Sequence, residues 1–88
     1  LLRRSESEHQ IRAVALAFVR LVHAAAVVQQ REPGQAVELA REALDLAGNL
    51  KSQRYLRYIR DLCGDLERYD SASDVRAFRL FVAERYTF

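Results

Sequence analysis

The feature that most limits how this chain folds is a run of alanines at helical spacing. In residues 34–49 small side chains recur at Ala36, Ala40 and Ala43, which a helix places on one face. Such a face is too flat for a deep core and suits close contact with a neighbouring helix. Elsewhere only Pro33, Gly34, Gly48 and Gly64 punctuate the 88 residues, and the segments between them follow three- and four-residue spacing rather than alternation. The sequence therefore predicts an all-α chain.

Four helices follow from the local signals. Ser5 and Glu8 have the spacing of a capping box and predict a first helix over about 6–30, ended by the turn Arg31-Glu32-Pro33-Gly34. A second helix over about 35–47 ends at Gly48 and Asn49, both suited to a left-handed cap. The short connection to the next helix predicts an antiparallel hairpin. A third helix over about 52–69 sets Tyr55, Leu56, Ile59, Leu62, Cys63, Leu66 and Tyr69 on one face, and Gly64 within it costs about 1 kcal/mol against alanine. Ser71 and Asp74 repeat the capping pattern ahead of a fourth helix over about 72–86. Its inner face is Val75, Phe78, Phe81, Val82 and Tyr86, which leaves Arg76, Arg79 and Arg85 mostly outside.

A chain of this length fits one small domain that buries roughly 60–65% of its unfolded surface, so help from a partner is expected. It starts at Leu1 and holds no methionine, which predicts a fragment of a longer reading frame. Fourteen basic residues, thirteen of them arginine, are nearly balanced by twelve acids, and a net charge of +2 does not by itself argue for nucleic acid. Cys63 is the single cysteine, which excludes an internal disulfide and favours a reducing compartment, hence the cytoplasm. The stretch Ala13 to Val28 is apolar save for Arg20 and His23. Its sixteen residues fall short of the roughly eighteen needed to span a bilayer, so no membrane partner is expected.

Residues 20–48 resemble a tetratricopeptide repeat, a helix-turn-helix hairpin of about 34 residues with small residues in its second helix. Ala36, Ala40 and Ala43 fall on the small-residue positions, Leu44 on the large apolar one, and Gly48 replaces the proline that ends the helix. In the first helix Arg20, His23, Ala24 and Val27 occupy the aromatic, leucine, glycine and tyrosine positions, and of these Ala24 conforms. Ser52 to Leu62, followed by Val75-Arg76-Ala77-Phe78, is similar to the C-terminal end of repeat-containing regulators from actinobacteria. That resemblance implies the last repeat and a half plus a closing helix, preceded by a helix-turn-helix DNA-binding domain. It implies a role in sensing or assembly. Repeats of this kind share packing positions and not binding positions, so no ligand residues follow from it.

The residues themselves offer three surfaces. The first helix carries Val14, Leu16, Phe18, Val19, Leu21, Val22, Val27 and Val28 around more than one face. A helix apolar all round is normally covered on several sides. This predicts a protein interface at Val14, Phe18, Leu21 and Val22, joined by Phe78 and Phe81 of the fourth helix, with a second copy or upstream helical repeats as partner. The alternative is a compact four-helix monomer wrapped around that helix. Arg20 and His23 are placed to hold the carboxylate of a peptide ligand in a concave groove, or else to edge a packed interface.

Lys51, Arg54, Arg57 and Arg60 form a basic run able to contact phosphate, the basis of the alternative reading as a small helical DNA-binding domain. Against it, Asp61, Asp65 and Glu67 follow at once, the mark of a solvated face. Cys63 reads as a small buried hydrophobe, and His9 and His23 lack a third metal ligand. No nucleophile, base and orienting group assemble, so neither an enzyme nor a cofactor is expected. The sequence predicts a protein-interaction or oligomerisation module of a bacterial transcriptional regulator.

Overall fold

The computed structural model describes residues 2–48 and 50–86, with side chains from Glu8 onward. It is all-helical, and no strand occurs among the described residues. Four α-helices run α1 (Leu2–Gln29), α2 (Pro33–Ala47), α3 (Gln53–Leu66) and α4 (Ser73–Arg85), with a 3₁₀ turn at Glu67–Tyr69 continuing α3.

Two predicted helix starts are displaced. Helix α1 passes through Ser5 and Glu8, so it begins upstream of the predicted capping box. Helix α2 begins at Pro33 rather than Gln35, because the fixed φ of proline suits the first helical position, where no N–H is needed. The end of α1 is a Schellman corner: the Glu32 N–H donates to Val27 O (3.2 Å) and the Arg31 N–H to Val28 O (2.9 Å). Its left-handed residue is Arg31, at φ 64°, where glycine is the usual occupant. Arg31→Gly is expected to raise the unfolding free energy by roughly 0.5–1 kcal/mol, the left-handed penalty less the entropy that glycine adds to the unfolded chain. Urea titration checks this, and a midpoint at or below that of the parent chain contradicts it.

The alanine face behaves as its spacing predicts. Ala36, Val37, Ala40, Ala43, Leu44 and Ala47 of α2 are buried, and so are Ala17, Leu21, Ala24, Val27 and Val28 of α1. Methyl groups at these positions let the two helix axes approach closely. Helix α2 folds back on α1, and Arg20 pairs with Glu42 across them at 3.0 Å. Helix α2 ends at Gly48, whose φ of 58° a side chain rarely adopts; the Gly48 N–H donates to Leu44 O. Asn49, the other predicted cap residue, lies outside the described residues.

Helix α3 rests on α1 and helix α4 on α2. Ser52 caps α3, its hydroxyl accepting from the Tyr55 N–H at 3.3 Å. Tyr55, Ile59, Leu62 and Leu66 form the buried stripe, flanked by the half-buried Leu56 and Cys63. At α4 the predicted pair Ser71 and Asp74 does not cap. The chain is still in the turn after Tyr69, so Ala72 takes the cap position and Asp74 accepts from the Val75 N–H at 2.9 Å. Val75, Phe78 and Val82 point inward.

Tyr55 sets a polar tip deep in this core. Fully buried, it donates its hydroxyl to Ala43 O at 3.3 Å and so ties α3 to α2. Burial, with the nearby Tyr86 adding to it and Arg85 opposing, pushes the phenol well above its ordinary range. In the unfolded chain this phenol ionises near pH 10, while in the folded chain it stays protonated. Above that pH the folded state therefore holds the extra proton, and stability falls by about 1.4 kcal/mol per pH unit. Tyr55→Phe is expected to remove this alkaline loss at a cost of about 1 kcal/mol at neutral pH. Denaturant melts at rising pH test it, and parallel losses in both proteins would exclude Tyr55 as the cause.

Candidate functional site

Helix α1 has two faces of the same composition and opposite fate. At 100° per residue Ala17, Leu21, Ala24 and Val28 turn toward α2. The opposite arc carries Ile11, Ala15, Val19, Val22 and Ala26, all exposed. Ile11 is 68% exposed, Val19 56% and Val22 58%, with Leu16 at 44% on the flank. Exposed apolar residues standing singly need no explanation, as with Leu80 on α4, but a contiguous stripe marks a contact. The segment Glu8–Gln29 is also long and apolar enough, by length and composition, to cross a membrane, although 28% of its apolar window is buried inside the fold. This segment is longer than the sixteen-residue stretch read from the sequence because it also takes in Glu8 to Arg12, of which only Ile11 is apolar.

The structure distributes the predicted interface residues unevenly. Val22 lies on the open stripe and Val14 is half-buried at its edge. Leu21 is 3% exposed and Phe78 fully buried, so both belong to the chain's own core. Phe18 is half-buried in an aromatic cluster joining α1 to α3. Its ring meets Tyr55 and Tyr58 edge-on at 5.7 and 5.6 Å between centroids, and the Arg54 guanidinium lies 5.4 Å from its centre. The guanidinium groups of Arg41, which also covers Phe78, and of Arg85 lie 5.4 and 5.9 Å from the centre of the Phe81 ring. Arg85 donates to Gly48 O at 2.6 Å and Arg79 to Asp70 at 2.8 Å, so neither is simply an outward cation. Both are drawn back onto the fold by long side chains with a partner in reach.

The remaining candidates are placed as follows. Arg20 pairs with Glu42, which engages the charge that would hold a ligand carboxylate; His23, one turn on, is exposed. In the basic run Lys51, Arg57 and Arg60 are exposed, whereas Arg54 lies over Phe18 and Tyr58 and donates to the Tyr58 hydroxyl. Cys63 is half-buried, and burial raises its thiol pKa while Arg79 acts in the opposite sense, which leaves a weak nucleophile. Among the described residues no group of three or more His, Cys, Asp and Glu side chains is arranged to hold a metal.

Beside a mainly apolar hollow of about 420 Å³ at Gln10, Ile11, Val14 and Leu50, two more border α1. One, of about 340 Å³ at its C-terminal end, is lined by Arg31, Arg68 and Asp65 and so presents both signs of charge. The other, of about 200 Å³, lies between α1 and α3, lined mainly by the apolar Leu21, Val22, Ala25, Tyr58 and Leu62, with Asp61 and Asp65 also in its walls. The second opens directly beside the exposed stripe, a feature that residue spacing in α1 alone does not reveal. No family model matches the chain, and no curated protein or solved structure matches it either.

Proposed function

We propose that the chain is a protein-interaction module built from two antiparallel helical hairpins of tetratricopeptide type, serving assembly in a bacterial transcriptional regulator. The carrying observation is the outer face of α1, where Ile11, Val19 and Val22 stand in solvent as one apolar stripe. The packing order supports the repeat reading. Helix α1 packs against α2, with α3 resting on α1 and α4 on α2, while α3 and α4 make little contact with each other. The regulator context rests on the similarity of residues 52–62 and 75–78 to actinobacterial regulators and on nothing else.

Direct DNA contact is the weaker reading. With Arg54 engaged on aromatic rings, Lys51, Arg57 and Arg60 are the cations of the run left to meet phosphate, and Asp61 and Asp65 follow them at once. Binding to duplex DNA that falls steeply with salt would revive it.

Hydroxyl-radical footprinting of the aliphatic side chains tests the interaction reading in the protein as the cell produces it. Ile11, Val19 and Val22 are expected to be labelled far less than their exposure in the lone chain implies. Labelling at the rate of solvent-exposed residues such as Leu80 would overturn the reading.

A further inference from the structure

We propose that the outer face of α1 is covered by the same face of a second copy of the chain, the two helices running in opposite directions about a two-fold axis near Phe18 and Val19. This rests on the interaction-module reading and names its partner.

The first argument is area. The chain exposes 6307 Å², about 1,000 Å² more than the ~5,300 Å² expected of a folded chain of 10.1 kDa. A stable interface of standard size covers about 800 Å² on each partner. The elongation matches this surplus: the molecule measures 49 × 26 × 19 Å, and α1, at 28 residues, far outruns the 15 of α2. One helix-on-helix contact along Glu8–Gln29, ~33 Å long, is of the scale needed.

The second argument is the order of sizes along the stripe. A two-fold midway between residues 18 and 19 sets Ile11 against Ala26 and Ala15 against Val22, with Val19 at the centre. Ile11 and Val22 each meet an alanine of the other copy, the self-complementarity that an isologous contact requires, and Val19 flanks the axis beside its own counterpart. A parallel pairing stacks Ile11 on Ile11 and leaves Ala15 facing Ala15, and Ala26 facing Ala26, across gaps.

Charge and relief agree with this register. It places Glu8 opposite Gln29 and Arg12 opposite Ala25, so no like charges meet. Arg20 is turned to the far side by its pairing with Glu42. Ile11 of the second copy arrives over Ala26, beside the mainly apolar hollow walled by Val22, Ala25, Tyr58 and Leu62, with Asp61 and Asp65 at its α3 side. The most exposed large apolar side chain of one copy thus meets an apolar recess that borders the stripe.

Sedimentation equilibrium of the chain is the test. Twice the mass of 10.1 kDa is expected, with Val19→Asp weakening association at least about 100-fold while circular dichroism keeps its helix signal. Ile11→Glu and Ala26→Lys each weaken pairing alone, and mixing the two variants restores a dimer, because opposite charges then meet in the proposed register. Failure of the mixture to restore pairing overturns the opposed orientation. A dimer indifferent to Val19→Asp overturns the choice of face. A monomer at every concentration overturns the second copy as occupant. In that event, footprint protection of Ile11 and Val22 in the protein as the cell produces it keeps the interaction reading standing with a different protein partner. Binding of the monomer to phosphatidylcholine–phosphatidylglycerol vesicles assigns the stripe to a lipid surface instead.

Discussion

Leu21→Asp is expected to abolish the cooperative unfolding transition at neutral pH, whereas Val22→Asp, one residue further, keeps the helix content of the parent chain. The contrast comes from burial alone: Leu21 is 3% exposed in the core between α1 and α2, and Val22 is 58% exposed. Removing a buried leucine side chain costs about 2–5 kcal/mol, and a carboxylate left there without a partner adds several more. An 88-residue chain commands only about 4–13 kcal/mol in total. A buried aspartate has its pKa raised in the folded state, so its penalty is smallest below the unfolded value of about 3.9 and grows as pH rises through the folded value. The Leu21→Asp chain should therefore recover helicity on mild acidification. Circular dichroism against pH decides it, and a helical, cooperative Leu21→Asp chain at pH 7 would refute the packing of α1 against α2.

Phe78→Ala should cost about 3–5 kcal/mol, and the loss should fall on one helix. Helix α4 is held to α2 by Val75, Phe78 and Val82, by Arg41 lying over Phe78 and Phe81, and by the bond from Arg85 to Gly48 O. Emptying the Phe78 site removes the largest of the inward side chains of α4 and one of the two rings that Arg41 covers. Helices α1 and α2 share a separate, larger alanine-lined contact. Native-state hydrogen exchange should then show α4 amides opening first, with α1 and α2 near their former protection. Equal loss of protection in all four helices would mean that the domain opens as one unit.

The helix pattern was legible where residues of special backbone chemistry stood at the joints. Gly48 closes α2 and Ser52 opens α3 with the hydroxyl its position requires, whereas Pro33, read as part of the turn, is the first residue of α2. The capping pairs at Ser5 and Ser71 misled because the motif reports residue types and not whether the backbone is free to start a helix there. Helix α1 was already under way before Ser5, and the 3₁₀ turn delayed α4 past Ser71. The two faces of α1 were not legible. A helix apolar all round gives no direction to its core side, so Leu21 and Val22 looked alike until α2 was placed against one of them. Arg54 and Arg85 read as surface cations because spacing along a helix says nothing of an aromatic ring or a carbonyl on the next element within reach of a long side chain.

The clasp between Arg85 and Gly48 bears on how the chain reaches this structure in time. It joins residues 37 positions apart, whereas α1 and α2 meet across a three-residue corner. Closing the longer loop costs more entropy, and chains rich in short-range contacts fold fastest. Folding is thus expected to start in the α1–α2 hairpin and to finish when α4 docks, so that the guanidinium reaching the Gly48 carbonyl is among the last contacts made.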